Sequence, residues 1–242
     1  MILQPKLDIL PDSQKELWPQ LKDVPKEFVL YGGTAVALRY GHRESVDFDF
    51  FTTEPLDLEV VSKNLSFIQK YKGVVDDGKT DQQIDYILAV GNYDRNKVQV
   101  TFMNNKNISP GSINPPDTAL GPGIKIASPL DLMGCKVLTA SERTEKKDFI
   151  DIVELMKHNI SLQKGFEASV ALARISPLGI GRLKLYNLRE DLQAKTLHRI
   201  LPDNPECVEA LREAASKLDV DKAMKTKLKA TPELYRRSGI SR

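Results

Sequence analysis

The 242-residue sequence contains only two cysteines, three histidines and one tryptophan, and it has no long run of apolar residues. A zinc site needs more cysteine and histidine ligands than these scattered residues supply. Because Cys135 lies in a segment with helical apolar spacing, free thiols are favoured over a disulfide framework. Residues 1–8 lack a basic region followed by an apolar stretch. We therefore expect no signal peptide, no membrane span and a cytoplasmic location.

The composition is that of a folded globular protein, with 41% hydrophobic and 28% charged residues. The charge is unevenly distributed along the chain. Residues 1–157 carry 19 Lys and Arg against 23 Asp and Glu, whereas residues 158–242 carry 16 against 10. This asymmetry suggests two parts with different tasks. The basic excess suits nucleic acid, a solvated helix face, or a surface that binds an acidic partner protein.

One segment contains most of the chemical information in the sequence. The apolar run Phe28–Tyr31 predicts a strand, and Gly32 and Gly33 predict a tight turn after it. Thr34–Tyr40 predicts a short helix, and Val46–Phe51 predicts a second strand. The order is therefore strand, glycine turn, helix and strand.

Polar groups in this segment occur where a metal and phosphates could be bound together. Asp47 and Asp49 are two residues apart on the second predicted strand, so their side chains lie on one face. Two adjacent carboxylates repel each other unless a cation lies between them, and Mg²⁺ is a common solution. Gly32, Gly33 and Thr34 begin the helix, where backbone N–H groups and the helix dipole attract phosphate. The combination indicates nucleoside triphosphate chemistry.

Two blocks of residues resemble a known family. Residues 28–51 read Gly-Gly-Thr-Ala, a short helix, and then His-Arg-x-Ser-x-Asp-x-Asp-Phe-Phe. This pattern resembles the AbiEii/AbiGii type of nucleotidyltransferase, which belongs to the DNA polymerase beta-like superfold and includes toxins of toxin–antitoxin and phage-defence pairs. The second block is a lysine on a helix, an arginine, and a basic residue followed by Asp-x-x-Asp. Lys136, Arg143, Asp148 and Asp151 fall on these positions.

The fold expected from the pattern and the resemblance is α/β (α+β). Residues 1–160 should form a polymerase beta-like nucleotidyltransferase domain with a mixed sheet, and residues 161–242 a C-terminal helical bundle. The remaining predicted elements, in chain order, are a helix at Gln14–Leu21, a helix at Leu56–Tyr71, a hairpin of Ile84–Val90 with Val98–Met103, a loop at 104–123, a strand at Ile124–Ile126, a helix capped by Ser128, and helices at Lys147–Lys157, Phe166–Arg174, Leu183–Ile200 and Cys207–Leu218.

The resemblance assigns roles to particular residues. It implies a catalytic set of Asp47, Asp49, Lys136 and Asp148. Asp47 and Asp49 would hold one or two Mg²⁺ ions, and Gly32, Gly33, Thr34 and Lys136 would bind the NTP. We expect Asp148 to orient Lys136 or the acceptor. We expect His42 and Arg43 to brace the loop before Asp47, and Asp151 to pair with Arg143 or Lys147.

One departure from the superfold is visible. Polymerase beta-like enzymes usually carry a third carboxylate on a neighbouring strand, but the predicted strand Val98–Met103 has none. Asp85 is the only acid inside a nearby predicted strand. Because the third carboxylate is missing, a non-enzyme alternative stays open, in which a decayed site only binds a nucleotide or a partner protein.

The acceptor is also open at this stage. The leading hypothesis is an Mg²⁺-dependent toxin that transfers NMP from an NTP to RNA such as tRNA, or to a protein. A cognate antitoxin would then be a further partner. Transfer to a small molecule such as an antibiotic is the second enzyme hypothesis.

Overall fold

The computed structural model describes residues 1–56, 61, 63, 65–70, 74–80, 83–90, 97–104, 113–173 and 179–226. The chain divides into two compact units. Unit 1 comprises Met1–Pro110 and Pro116–Ala127, and unit 2 comprises Gly111–Pro115 and Ser128–Arg242. From the sequence we predicted a boundary between two domains near residue 160. The division falls at residue 127 because the helices of residues 129–157 pack against the helices that follow them.

A mixed sheet forms the centre of unit 1, as the sequence predicted. The described part contains eight strands in the order β1-β7-β8-β2-β3-β6-β5-β4. Their bounds are β1 Ile2–Leu3, β2 Val29–Leu30, β3 Phe48–Thr52, β4 Val74–Thr80, β5 Gln83–Ala89, β6 Lys97–Asn104, β7 Asp117–Ala119 and β8 Lys125–Ile126.

Strand β3, which carries Asp49 and directly follows Asp47, lies inside the sheet. It pairs antiparallel with β2 on one side and parallel with β6 on the other. Phe48 and Phe50 are fully buried, and Phe50 stacks on Phe102 of β6 with ring centroids 5.4 Å apart. Phe28 meets the same Phe102 ring edge-on at 4.9 Å. One face of β3 is therefore anchored in an aromatic core.

The strands agree only partly with the sequence analysis. The predicted hairpin is confirmed, because β5 and β6 pair antiparallel. The predicted loop at 104–123 is wrong in its last third, since β7 lies within it. β7 pairs with β1, which comes from the opposite end of unit 1 in sequence, and also with the neighbouring β8. A three-residue strand among Pro, Asn and Gly carries no local signal of its own.

The helices of unit 1 are short. They are α1 Asp12–Leu17, α2 Gly32–Tyr40 and α3 Ser66–Lys70, with 3₁₀ helices at Leu7–Ile9 and Trp18–Asp23. The predicted helix Gln14–Leu21 changes to 3₁₀ geometry at Trp18, next to Pro19, whose ring and missing N–H disfavour an α-helical interior. Most of the predicted helix Leu56–Tyr71 lies outside the described residues. Helix α2 ends at Gly41, whose φ of +72° is the left-handed cap that glycine favours.

Arg39 fixes the last turn of α2. Its guanidinium is buried, with Nη2 2.8 Å from the Asp117 carboxylate and 2.6 Å from the Ala127 carbonyl. The Nε atom donates to the same Ala127 carbonyl at 3.1 Å, and Nη2 also donates to Ile126 at 3.2 Å. Burial opposes the charge of Asp117, but hydrogen bonds from the Met1 ammonium and Arg39 outweigh this and lower its pKa below the ordinary value. The clamp joins α2 to strands β7 and β8.

The regular secondary structure described in unit 2 is helical. Its described helices are α4 Pro129–Glu142, α5 Lys146–Lys157, α6 Leu162–Ala173, α7 Ile180–Gln193, α8 Leu197–Ile200, α9 Pro205–Ser216 and α10 Val220–Lys225. Helices α4 and α6 approach closely at two glycines. A Cβ on Gly134 would lie 2.8 Å from the Ala168 Cβ, and a Cβ on Gly165 would lie 2.7 Å from the Met133 Cγ.

The helix cap predicted at Ser128 is confirmed. The Ser128 Oγ accepts from the Asp131 N–H at 3.1 Å and donates to the Asp131 carboxylate at 2.5 Å. That carboxylate also accepts from the Asn114 N–H at 3.1 Å, which ties residues 113–115 to unit 2.

The single helix predicted over Leu183–Ile200 is wrong. It is broken into α7 and α8 at Ala194, whose carbonyl accepts a hydrogen bond from Arg212 at 3.2 Å. No helix in the described ranges is long and apolar enough to cross a membrane.

Candidate active site

Asp49 lies on β3, as the sequence predicted, but the strand begins at Phe48 and not at Val46, so Asp47 lies one residue before it. Burial alternates along this segment: Phe48 and Phe50 are buried, whereas Asp47 and Asp49 are half-buried. The carboxylates are therefore on the face opposite the aromatic core. Within unit 1, the structure brings Asp49 and the glycine turn together, because the Tyr31 N–H donates to the Asp49 carbonyl at 2.8 Å.

Gly32 lies next to the Asp49 carboxylate. Its φ is +70°, and a Cβ built on it would lie 2.3 Å from Asp49 Oδ2. A side chain at this position would therefore both strain the backbone and displace the carboxylate. Gly32 and Gly33 remain half-exposed, and they begin α2, where the first backbone N–H groups lack intrahelical acceptors.

Thr34 connects the glycine turn to the aspartate strand. Its hydroxyl is buried, and it contacts the Asp47 carbonyl and the Ser45 Oγ, the latter at 2.8 Å. A carbonyl can only accept, so the single Thr34 proton goes to Asp47 and Ser45 donates to Thr34. This arrangement leaves the backbone N–H of Thr34, rather than its hydroxyl, for the phosphate role that the sequence suggested.

Two side chains donate hydrogen bonds to carbonyls of the loop before β3. Arg43 donates from Nη1 to the Glu44 carbonyl at 2.9 Å, a contact within the loop that it was expected to brace. Gln14, which no sequence motif includes, donates from Nε2 to the Val46 carbonyl at 2.6 Å. The only sequence signal for Gln14 was a polar residue on the apolar face of a short helix.

The register relates Asp85 to Asp49. On β6, Thr101 lies opposite Asp49 of β3, and Asp85 of β5 lies opposite Thr101. The three positions therefore form one row across the sheet, with Thr101 where a carboxylate would be adjacent to Asp49. The structure describes the backbone of Asp85 and not its side chain, so its role stays a prediction.

In unit 2, Lys136 lies in a buried ion cluster. Its Nζ is 2.9 Å from Asp148 Oδ1 and 2.7 Å from Asp151 Oδ2. Both aspartates are 0% exposed and Lys136 is 5% exposed. The sequence analysis suggested Arg143 or Lys147 as the partner of Asp151, whereas the structure shows contact with Lys136. Arg143, half of whose side chain is exposed, completes the cluster with its Nε 3.1 Å from Asp148 Oδ2.

The charges of this cluster balance. Burial tends to lower the pKa of Lys136, but attraction to Asp151 and Asp148 and their hydrogen bonds raise it above the ordinary lysine value. The ammonium therefore stays charged at neutral pH. Two carboxylates against Lys136 and Arg143 give no net charge, which is how buried charges are tolerated.

The donors at the aspartate pair fit a magnesium ion. Mg²⁺ prefers carboxylate oxygens and commonly takes only one or two from the protein, with the remainder from water and phosphates. Asp47 and Asp49, both half-buried, supply this number. Within the described ranges, no cluster of three or more His, Cys, Asp or Glu side chains could hold a metal.

Solved structures of other proteins share this fold. MenT4, nucleotidyltransferase toxin Rv2826c from Mycobacterium tuberculosis H37Rv, has a similar structure, with a TM-score of 0.58 and 16% identity over 87% of this chain and 84% of that chain. JHP933 from Helicobacter pylori has a TM-score of 0.52 and 18% identity over 88% of this chain and 92% of that chain. At these identities the likeness establishes the fold.

The chain belongs to the family Nucleotidyl transferase AbiEii toxin, Type IV TA system, whose profile matches residues 20–232. The enzyme class expected from the sequence, a nucleotidyltransferase, is thereby confirmed. A relative of known sequence is the uncharacterized protein aq_aa25 of Aquifex aeolicus (strain VF5), which is 30% identical over 141 residues. That match covers 57% of this chain and 62% of the relative, so it spans less than two thirds of that protein.

The approach of Gly32 to Asp49 leads to a first prediction. Gly32→Ala should weaken Mn²⁺ binding by at least about tenfold, because the new Cβ displaces the carboxylate. Gly41→Ala is the matched control: its φ of +72° is equally unsuited to alanine, but the nearest atoms to its Cβ are Lys6 carbons at 3.6 Å. It should lose about 1–2 kcal/mol of stability and keep its Mn²⁺ affinity. Equal Mn²⁺ affinity in the two variants, measured by calorimetry, would contradict the assignment.

The buried cluster leads to a second prediction. Lys136→Met should lower the free energy of unfolding by about 3–5 kcal/mol, since it leaves two buried carboxylates uncompensated. Adding Asp148→Asn and Asp151→Asn should recover more than half of this loss. Lys157→Met, which removes an exposed ion pair with Glu154, is the control and should cost less than about 1 kcal/mol. Urea unfolding measures the stability of all three variants. Similar midpoints for Lys136→Met and Lys157→Met would refute the claim that Lys136 compensates the two buried carboxylates.

Proposed function

We propose that this protein transfers a nucleoside monophosphate from an NTP to a hydroxyl of an RNA acceptor, with Mg²⁺ bound by Asp47 and Asp49. The single observation that supports it most is the contact of the Asp49 carboxylate with the Gly32 turn. It puts the groups suited to a metal and the groups suited to phosphates within one short segment. Family membership supports the general chemistry, and the acceptor is our inference.

Each group of the site has a task in this reaction. Asp47 and Asp49 would hold the metal, and the N–H groups of Gly33 and Thr34 would receive phosphate oxygens at the start of α2. When bound, Mg²⁺ neutralises phosphate charge and lowers the pKa of the acceptor hydroxyl. The chain's own contribution is positioning and charge stabilisation, which phosphoryl and nucleotidyl transfer chiefly require.

We keep Lys136 and Asp148 in the proposed site, but Lys136 is not a free cation that can simply reach the triphosphate. The Lys136 ammonium is buried between two aspartates, so it would act on a triphosphate only if it left at least one of them. Arg143 is the half-exposed cation of the cluster, and its guanidinium pairs with both Asp148 and Glu145, at 3.1 and 3.2 Å. We therefore include Arg143 with Lys136 and Asp148 in the candidate catalytic set.

The choice of RNA depends on where the basic excess lies. Arg182, Lys184 and Arg189 of α7 already pair with Asp221, Glu142 and Glu190, at 2.8, 2.5 and 3.6 Å. Residues 158–221 contain nine Lys and Arg and nine Asp and Glu, whereas residues 222–242 contain seven against one. The excess therefore belongs to the last 21 residues, of which 227–242 lie outside the described ranges. Such a segment suits a phosphate backbone.

The second candidate function is a non-catalytic nucleotide-binding module. Thr101 on β6, where an adjacent carboxylate would complete the metal site, favours it. A protein or an antibiotic is the alternative acceptor to RNA. A cognate antitoxin would be a further partner. The family is a toxin family of type IV toxin–antitoxin systems, which supports an antitoxin partner.

The chemistry is tested with NTPs labelled on the α-phosphate. Asp49→Asn should lower Mg²⁺-dependent transfer into tRNA at least about a hundredfold, because an amide is a poor magnesium ligand. Asp8→Asn makes the same chemical change at an exposed site and should leave the rate unchanged. Label in protein instead of RNA would change the acceptor. NTP binding without transfer to RNA, protein or small molecules would favour the non-catalytic module.

The acceptor surface is tested by binding. Replacing Lys222, Lys225, Lys227 and Lys229 by Gln should weaken tRNA binding and reduce the slope of log K against log salt by up to about 3. The control Arg182→Gln with Lys184→Gln removes cations that are already paired, so its salt slope should match the parent's. Gel shifts at several salt concentrations decide. Unchanged binding in the fourfold variant would remove these lysines from the RNA surface.

A further inference from the structure

The two aspartates of the site are held by different means. Asp49 lies within β3, where its backbone is fixed by the Tyr31 N–H and by the ladder with β6. Asp47 lies one residue before the strand begins. Its position therefore depends on what holds residues 45–47, and in this structure side chains do so.

Two buried side chains bind successive carbonyls of this short segment. Thr34, on α2, donates to the Asp47 carbonyl. Gln14, on α1, donates from Nε2 to the Val46 carbonyl at 2.6 Å. The two donors come from different helices, so residues 46 and 47 are held between α1 and α2.

Gln14 is itself held in place. The residue is 2% exposed, and its Oε1 accepts a hydrogen bond from the Ser13 hydroxyl at 2.8 Å. Its amide therefore has a defined orientation, with the oxygen toward Ser13 and the nitrogen toward Val46. A buried polar side chain whose donor and acceptor are both used makes a specific contact, because leaving either unpaired is costly.

We propose that Gln14 is a positioning residue for Asp47 that sets the spacing between the two metal-binding carboxylates. The inference depends on the proposed metal role of Asp47 and Asp49. Gln14 touches neither the metal nor the nucleotide, and it acts through the Val46 carbonyl, one peptide unit before Asp47. Losing its hydrogen bond would release the Val46 carbonyl, so that Asp47 would be held on its C-terminal side only, by Thr34, while Asp49 would stay in place.

The experiment measures Mn²⁺ binding to the full chain by calorimetry, with no nucleotide present. Gln14→Met has a similar shape without the amide and should raise the Mn²⁺ dissociation constant about tenfold, which corresponds to one hydrogen bond. Ser13→Ala is the matched control: it removes the partner of Oε1 but keeps the donor to Val46, so it should cost stability and change the Mn²⁺ affinity much less than Gln14→Met does. If Gln14→Met does not fold, as judged by circular dichroism, Gln14→Asn, whose amide is too short to reach Val46, replaces it.

A double-mutant cycle separates positioning from a general structural effect. In an Asp47→Asn background, Gln14→Met should have no further effect on Mn²⁺ affinity, because its route of action is gone. An undiminished effect in that background would overturn the inference, and so would equal Mn²⁺ affinity for parent and Gln14→Met. Absence of Mn²⁺ binding by the parent would instead refute the metal site, and with it both the proposed function and this inference.

Amide hydrogen exchange gives a readout that does not involve the metal. In Gln14→Met, exchange at residues 45–48 should accelerate relative to the parent, while amides of β6 and α2 should keep their protection. Faster exchange spread evenly over unit 1 would indicate global destabilisation and would count against a positioning role.

Discussion

The arrangement of unit 1 depends on one close approach, that of the Asp49 carboxylate to a glycine without a side chain. Because Gly32 has no Cβ, strand β3 and the start of α2 can lie near enough to share a site. The aromatic core on the opposite face of β3 holds the strand in this position, with Phe48 and Phe50 fully buried. The candidate site therefore depends on the aromatic core that packs on the opposite face of the same strand.

Unit 2 solves a different problem, which is how to keep charges inside a helical bundle. Lys136, Asp148 and Asp151 connect α4 to α5 through contacts of 2.7 and 2.9 Å. Buried ion pairs add little net stability compared with apolar packing, but they penalise any arrangement that separates the partners. A catalytic function of this cluster, if transfer requires it, is therefore coupled to the correct docking of the two helices.

The sequence predicted the parts of this protein that depend on local pattern. The strand-turn-helix-strand order around Asp47 and Asp49, the β5–β6 hairpin and the Ser128 cap each have a short-range cause that is visible in the residues. Strand β7 was missed because it has only three residues and because one of its two partners, β1, is more than a hundred residues away.

The helix break at Ala194 was missed because the Arg212 side chain that stabilises it belongs to another helix. For the same reason the sequence predicted Lys136 as an NTP-binding residue without indicating that two buried carboxylates hold it. The burial of these two partners is a tertiary property. Asp148 and Asp151 lie one turn apart on α5, which was visible, but the direction in which Lys136 points was not.

The Arg39 clamp has a consequence for ligand binding at the other end of its helix. α2 is held at its last turn by Asp117 and the carbonyls of residues 126 and 127, and near its start by the Thr34 contact with Asp47. A nine-residue helix fixed at both ends loses its conformational entropy when the protein folds. A phosphate that reaches the glycine turn then finds N–H groups already ordered, so that binding has little further entropy to remove.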